Sequence, residues 1–254
     1  GKGGSGKSTV TTLLAKELAG RGRKVLVIDS DESNYGLSRQ LGVDLPLDFT
    51  AYFGGKQKAM QDMMLSNFTH RFFNETWEIQ DIPERYYSEK DGVRLMSSGK
   101  IHTANEGCAC TMGNVLTQFI EHLVLSEGEY ALIDMEAGIE HFGRGIDNGV
   151  DLILMVVEPS YESLALTGKV FELGTSIGKP VYLVFNKVDG ENREWMKKNV
   201  CERVEILCEI PAEKSIATAG LQGTELSNGY PAILRLTDFL EKCGKGKEAP
   251  AHAG

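Results

Sequence analysis

GKGGSGKST, residues 1–9, is the stretch that decides the fold. Gly1, Gly6, Lys7 and Ser8 satisfy the phosphate-loop spacing G-x-x-x-x-G-K-[ST]. Glycines at these positions let successive backbone N–H groups converge on phosphate oxygens. Gly3, Gly4, Ser5, Gly6, Lys7, Ser8 and Thr9 form the expected phosphate-contacting set. Lys7 would reach the β- and γ-phosphates, and Ser8 would ligate Mg²⁺. Beyond the loop, Val10, Leu13, Leu14 and Leu18 recur at three- and four-residue spacing. That predicts a helix from Lys7 to about Ala19, ending near Gly20 and Gly22, with its positive end on the anion. A phosphate loop normally follows a buried strand, so further apolar residues are expected upstream of Gly1.

Outward from the loop, short β-branched runs alternate with helical patterns. Residues 24–29 (KVLVID), 130–135, 151–157, 181–186 and 204–210 read as buried strands, with a weaker one at 93–96. Residues 113–126, 161–177, 191–200 and 231–242 carry helical periodicity. Repeated strand–helix units predict an α/β fold, a mostly parallel central sheet with helices on both faces. Residues 44–92 break the rhythm and read as a helical insertion in one domain spanning 1–243. Met60, Met63 and Met64 there fit core packing better than a soft-metal surface. The tail, 244–254, is small and polar and is expected to be disordered.

Composition narrows the partners. Apolar residues make up 41% and charged residues 25%, as in ordinary globular chains. The net charge of -9 is spread along the chain and argues against a nucleic-acid surface. No apolar run has the length of a membrane span. Five cysteines, an odd and sparse count, do not form a secreted disulfide framework, so a cytoplasmic setting is expected.

Lys2 makes the loop more specific. The form K-G-G-x-G-K-[ST] resembles the deviant Walker motif of the MinD, ParA and nitrogenase-iron-protein class. The resemblance implies a P-loop ATPase in which Lys2 reaches the partner's nucleotide across a homodimer, as an arginine finger does. It also places Asp29-Ser30-Asp31 at the class D-x-D, with Asp31 positioning the attacking water and Asp29 supporting Mg²⁺. Asp134, after the strand YALI, matches the Walker B aspartate, and Gly138 the switch glycine. One aspartate at a strand end is commonly a cap or turn. Three at such ends beside a phosphate loop favour a nucleotide site.

The base is less specified. Asn186-Lys187-Val188-Asp189 matches the guanine pattern NKxD, yet an asparagine here contacts adenine in ATPases of this class. Pro211, Ala212 and Glu213 resemble the segment that wraps the base. The overall match favours ATP, with GTP kept open by Asp189.

The second decisive stretch is EGCACTMGN, residues 106–114. Cys108 and Cys110 are one residue apart and precede a predicted helix, whose N-terminus lowers thiol pKa and favours metal binding. Two thiolates grip one ion without completing four-coordination. A twofold dimer would supply four sulfurs, suited to tetrahedral Zn²⁺ or square-planar Ni²⁺. Cys201, Cys208 and Cys243 have no partner spacing and read as packing or surface residues.

GCAC-x-MGN followed by DMEAGIEH-x-GRG resembles the CooC family of accessory ATPases. The resemblance implies an ATP-gated homodimer that holds nickel on its C-x-C pairs and helps to insert it into carbon monoxide dehydrogenase. Acetyl-CoA synthase is an alternative client. A MinD- or ParA-like positioning ATPase is the alternative class, and would show a membrane-seeking helix or a basic patch. An iron–sulfur reductase is disfavoured, because DMEAGIEH lacks a switch cysteine. Glu136, Glu140 and His141 are given no chemistry beyond coupling.

Overall fold

The computed structural model describes residues 1–101, 109–136 and 149–245, with the side chains of Ala109, Cys110 and Lys245 left undescribed. The predicted first helix is α1, Lys7–Gly20. Among the described residues seven strands follow: β1 (Lys24–Asp29), β2 (Ser88–Lys90), β3 (Val93–Ser97), β4 (Glu129–Asp134), β5 (Ile153–Val157), β6 (Val181–Val188) and β7 (Glu205–Pro211). They form a four-stranded sheet, ordered β2-β3-β1-β4, and a three-stranded sheet, ordered β5-β6-β7. All pairings are parallel except that of the edge strand β2 with β3. The phosphate loop lies where the two sheets approach, since a Cβ on Gly1 would stand 2.6 Å from the Val156 carbonyl oxygen of β5.

Strand residues alternate between two cores, as the period of two requires. Val25 and Val27 of β1 pack with α1, α2 (Gly36–Leu41) and α8 (Pro231–Lys245), and this core continues through Val156 and Val184 into the second sheet. Leu26 and Ile28 point the other way. They join a core built from α3 (Lys56–Leu65), α4 (Ala109–His122) and the aromatic residues of 49–86. On the second sheet, Met155, Val157, Leu183 and Phe185 face α5 (Tyr161–Ser176) and α6 (Arg193–Asn199). Among the described residues the remaining α-helix is α7, Lys214–Gln222.

Four expectations need correction. Residues 44–92 hold one α-helix, α3, together with three 3-10 turns and strand β2, so the region is not simply helical. Its order comes from aromatic packing: Phe49 is 1% exposed and lies against Tyr52, Phe53, Phe73, Trp77, Tyr86 and Phe119. Met63 is buried as expected, but Met64 is exposed. Helix α4 starts at Ala109, not Gly113, so Cys110 stands in its first turn instead of in a preceding loop. Helix α8 runs to Lys245, which makes Gly244 and Lys245 helical and not part of a disordered tail. Cys208 is buried, Cys201 half-buried and Cys243 exposed.

Candidate functional site: a phosphate loop over paired aspartates

The site is assembled from the carboxyl ends of four strands and the loop that opens α1. Gly6 takes φ of 95°, a left-handed conformation that leads directly into the helix. A Cβ there would meet Asn186 Nδ2 at 2.2 Å, so only glycine fits. Ser5 is buried and its hydroxyl has no hydrogen-bond partner among the described residues, while Gly3 and Gly4 are exposed. Lys7 Nζ donates to the Lys2 carbonyl oxygen at 3.2 Å and lies across the loop. Ser8 and Thr9 open α1 half-buried, and Asn34 Nδ2 donates to Ser8 Oγ at 2.8 Å.

Asp29 and Asp134 terminate adjacent parallel strands in register. Both carboxyl groups are buried, and among the described residues neither Asp134 oxygen has a partner at full hydrogen-bond geometry, although the Ser8 hydroxyl lies close enough to lower its pKa. Loss of solvent pushes the Asp134 pKa up to about 7; nearby Ser8 and Lys7 pull it down, and Asp29 and Asp31 push it up. Burial likewise raises Asp29 to about 6, opposed mainly by Lys100. Asp29 Oδ1 accepts from the Asp31 N–H at 3.1 Å. Asp31 accepts from Ser33 N and Oγ at 3.0 and 2.8 Å, which places it in an Asx turn.

A divalent cation suits these residues. Two orphaned carboxylate oxygens beside a serine hydroxyl form the oxygen-only donor set that Mg²⁺ prefers when substrate phosphates complete its shell. Ser8 and Asp134 would hold the ion, with Asp29 behind them. When bound, Mg²⁺ neutralises charge on the β- and γ-phosphate oxygens. Among the described residues, no group of three or more His, Cys, Asp or Glu side chains is placed to hold a metal by itself.

The NKxD residues act on the loop. Asn186 Nδ2 donates to the Ser5 carbonyl oxygen at 2.8 Å, and Lys187 Nζ donates to Gly4 O and to Glu158 Oε2, both at 2.7 Å. Asp189 Oδ1 accepts from the N–H groups of Glu191 and Asn192, turning the chain into α6. Its role in the structure is therefore a local turn, which weakens the guanine reading. Pro211 pairs with Val188, Ala212 N donates to Val188 O at 3.0 Å, and Glu213 precedes α7. This exposed segment thus stands beside Asn186 and Lys187 on the same sheet end.

Lys2 pairs within its own chain, its Nζ lying 3.3 Å from Glu162 Oε2 at the start of α5. Gly138, Glu140, His141 and Cys108 lie outside the described residues, and the side chain of Cys110 is not described. Two participants escaped the sequence. Lys100, 0% exposed, contacts Asp29 Oδ2 at 2.6 Å, and Asn34 reaches Ser8. The only hint of Lys100 was a lysine just past the strand VRLMS.

Comparison with known proteins shows the family and the fold. Residues 1–226 match the CobQ/CobB/MinD/ParA nucleotide binding domain. The chain belongs to that family. It is a MinD/ParA-type P-loop ATPase. A protein of Methanocaldococcus jannaschii described as an uncharacterized ATP-binding protein is 43% identical, covering 95% of this chain and 98% of its own. The carbon monoxide dehydrogenase accessory protein CooC of Rhodospirillum rubrum is 30% identical, covering 91% and 89%. Among solved structures, the septum site-determining protein MinD of Pyrococcus horikoshii, complexed with Mg-ADP, superposes with a TM-score of 0.68. It is 22% identical and the match covers 98% of this chain and 96% of that one, a likeness of fold. Among the described residues, no helix of this family member is long and apolar enough to cross a membrane.

Proposed function

We propose that this ATPase is a metallochaperone that forms a homodimer with ATP and holds one nickel ion between the C-x-C pairs of two subunits. Hydrolysis then opens the dimer and allows transfer to carbon monoxide dehydrogenase or, as the alternative client, acetyl-CoA synthase. The observation that carries the reading is the position of α4. Its first turn contains Cys110, and a Cβ on Gly99 would stand 2.4 Å from Met112 Sδ of that helix. The start of the cysteine-bearing helix therefore packs on the segment that leaves β3 beside Asp29. The similarity to CooC supports the same reading.

Within this scheme Lys2 exchanges its Glu162 partner for the nucleotide of the facing subunit. Asp31 orients water, Lys7 and the loop N–H groups hold the phosphates, and Asn186 with residues 211–213 flanks adenine. Nucleotide state and metal affinity are then reciprocally coupled.

A positioning ATPase of the MinD or ParA kind is the second reading, supported by the shared fold. The structure offers it little besides the fold. The apolar face of α8, through Ala232, Ile233, Leu236 and Leu240, is already buried in the core and is not available to a lipid surface.

Metal-to-protein stoichiometry, measured with ATP and with ADP alongside oligomer mass, tests the proposal. One nickel per two chains, present only in the ATP dimer and lost in Cys108→Ser, is expected. One ion on a monomer, or nickel retained by Cys108→Ser, would refute it.

A further inference from the structure

We propose that Lys100 is a positioning residue for the Mg²⁺ site of the ATPase. Its buried ammonium locks the 29–35 loop in the form that brings Asn34 to Ser8. The inference needs the ATPase activity alone and stands whether or not nickel is the cargo.

Lys100 Nζ donates to three oxygens, Asp29 Oδ2 at 2.6 Å and the carbonyls of Asp31 and Asn34 at 2.5 Å each. These three acceptors span the beginning and the end of one turn of chain. An ammonium has three donors, and all three are used. A fully buried lysine is tolerated when its charge is paired and its hydrogen bonds are complete, as here. No surface role remains for this side chain, which is 0% exposed.

The grip extends in both directions. On one side, Asn34, its carbonyl held by Lys100, donates through Nδ2 to Ser8 Oγ at 2.8 Å. That bond takes one lone pair of the hydroxyl and leaves its proton to turn toward the orphaned Asp134 carboxylate. On the other side, the Lys100 N–H donates to Asp48 Oδ1 at 3.1 Å, and its carbonyl oxygen accepts from Lys56 Nζ. Ile101 N donates to Glu32 O at 3.1 Å, and Tyr35 OH donates to Ile101 O at 2.7 Å. The 29–35 loop is thereby stitched to the chain leaving β3. Lys100 connects that chain to the serine and aspartates that would receive Mg²⁺.

Geometry and simple charge neutralisation predict opposite signs. If Lys100 only offset the aspartates, its removal would strengthen Mg²⁺ binding by deleting a nearby cation. If it positions the loop, removal leaves three acceptors unpaired, frees Asn34 from Ser8 and weakens Mg²⁺ binding.

The experiment measures binding of a fluorescent ATP analogue in EDTA and across a Mg²⁺ titration, with folding monitored by circular dichroism. Lys100→Met is expected to leave Mg²⁺-free binding unchanged and to raise the half-saturating Mg²⁺ concentration by about 10–100-fold, the range for removing a group that orients a metal ligand. Asn34→Ala, at a half-exposed loop position, is expected to raise it in the same direction, and it decides the matter should Lys100→Met not fold. Unchanged or tighter Mg²⁺ binding in a folded Lys100→Met overturns the proposal. So does equal weakening of Mg²⁺-free and Mg²⁺-bound states, or an Asn34→Ala protein with the wild-type Mg²⁺ requirement.

Discussion

Asp29 and Asp134 face one another across a parallel strand pair, each the last residue of its strand, in a shared register that runs from Lys24 and Glu129. Burial raises the pKa of both carboxyl groups, and the Asp29 charge adds to the rise at Asp134. The arrangement is unfavourable for the empty protein and favourable for one holding a divalent cation.

Stability without nucleotide should therefore fall with rising pH. Asp134 has a folded pKa of about 7 and Asp29 one of about 6, both above the ordinary 3.8. A raised acid binds its proton more tightly when folded, so its contribution is complete below the unfolded pKa and is lost as pH passes the folded value. Thermal melts in EDTA should show the decline between about pH 4 and pH 7. Asp134→Asn should make it shallower, leaving the Asp29 part that ends near pH 6.

The same substitution should stop turnover. Asp134→Asn keeps the shape of the side chain and removes the charge that would hold Mg²⁺. A loss in kcat of about 100-fold or more is expected, because such an ion supplies several kcal/mol of charge stabilisation. Phosphate release assays at saturating Mg²⁺ and ATP check it, and the melting temperature in EDTA at neutral pH should not drop.

Gly6→Ala should damage the loop directly. The residue sits at φ of 95° and a methyl would collide with Asn186 Nδ2. Left-handed strain of this kind costs about 1–3 kcal/mol, and relief of the clash moves Asn186 off the Ser5 carbonyl. Nucleotide titration by calorimetry should show little or no binding, with or without Mg²⁺.

Lys2→Ala should separate stability from activity. The Lys2–Glu162 pair is exposed, and exposed pairs contribute little to folding. The melting temperature should shift by less than about 2 °C. ATPase activity should fall and lose its dependence on protein concentration, if Lys2 works across a dimer. Turnover measured over a range of protein concentrations distinguishes this from loss of a contact within one chain.

Phe49→Ala should cost about 3–5 kcal/mol, the range for emptying a buried aromatic position. Phe49 joins residues of the 44–92 stretch to Phe119 of α4. Equilibrium denaturation followed by tryptophan fluorescence and by far-ultraviolet circular dichroism should remain one coincident transition, shifted to lower denaturant. Separate transitions would show that the stretch folds apart from the rest.

The sequence by itself determined the phosphate loop, the helix behind it, six of the seven strands among the described residues and the aspartates at their ends. These are local signals: glycine spacing, a 3.6-residue period, and runs of β-branched residues between turns. What it could not specify were contacts between distant segments. Strand β2 is three residues long, and only its pairing with β3 defines it. Residues 44–92 owe their order to rings that meet across the fold, and helical periodicity is a poor guide to that. The start of α4 at Ala109 had no marker in EGCACTMGN. Lys2 is exposed enough to choose a partner, and its choice of Glu162, 160 residues away, follows from where α5 begins. Lys100 is the clearest case. A lysine in SSGK looks like solvated loop, since burying a cation is costly. Only the fold, by bringing Asp29 and the Asp31 and Asn34 carbonyls around it, makes the interior the favourable place for that charge.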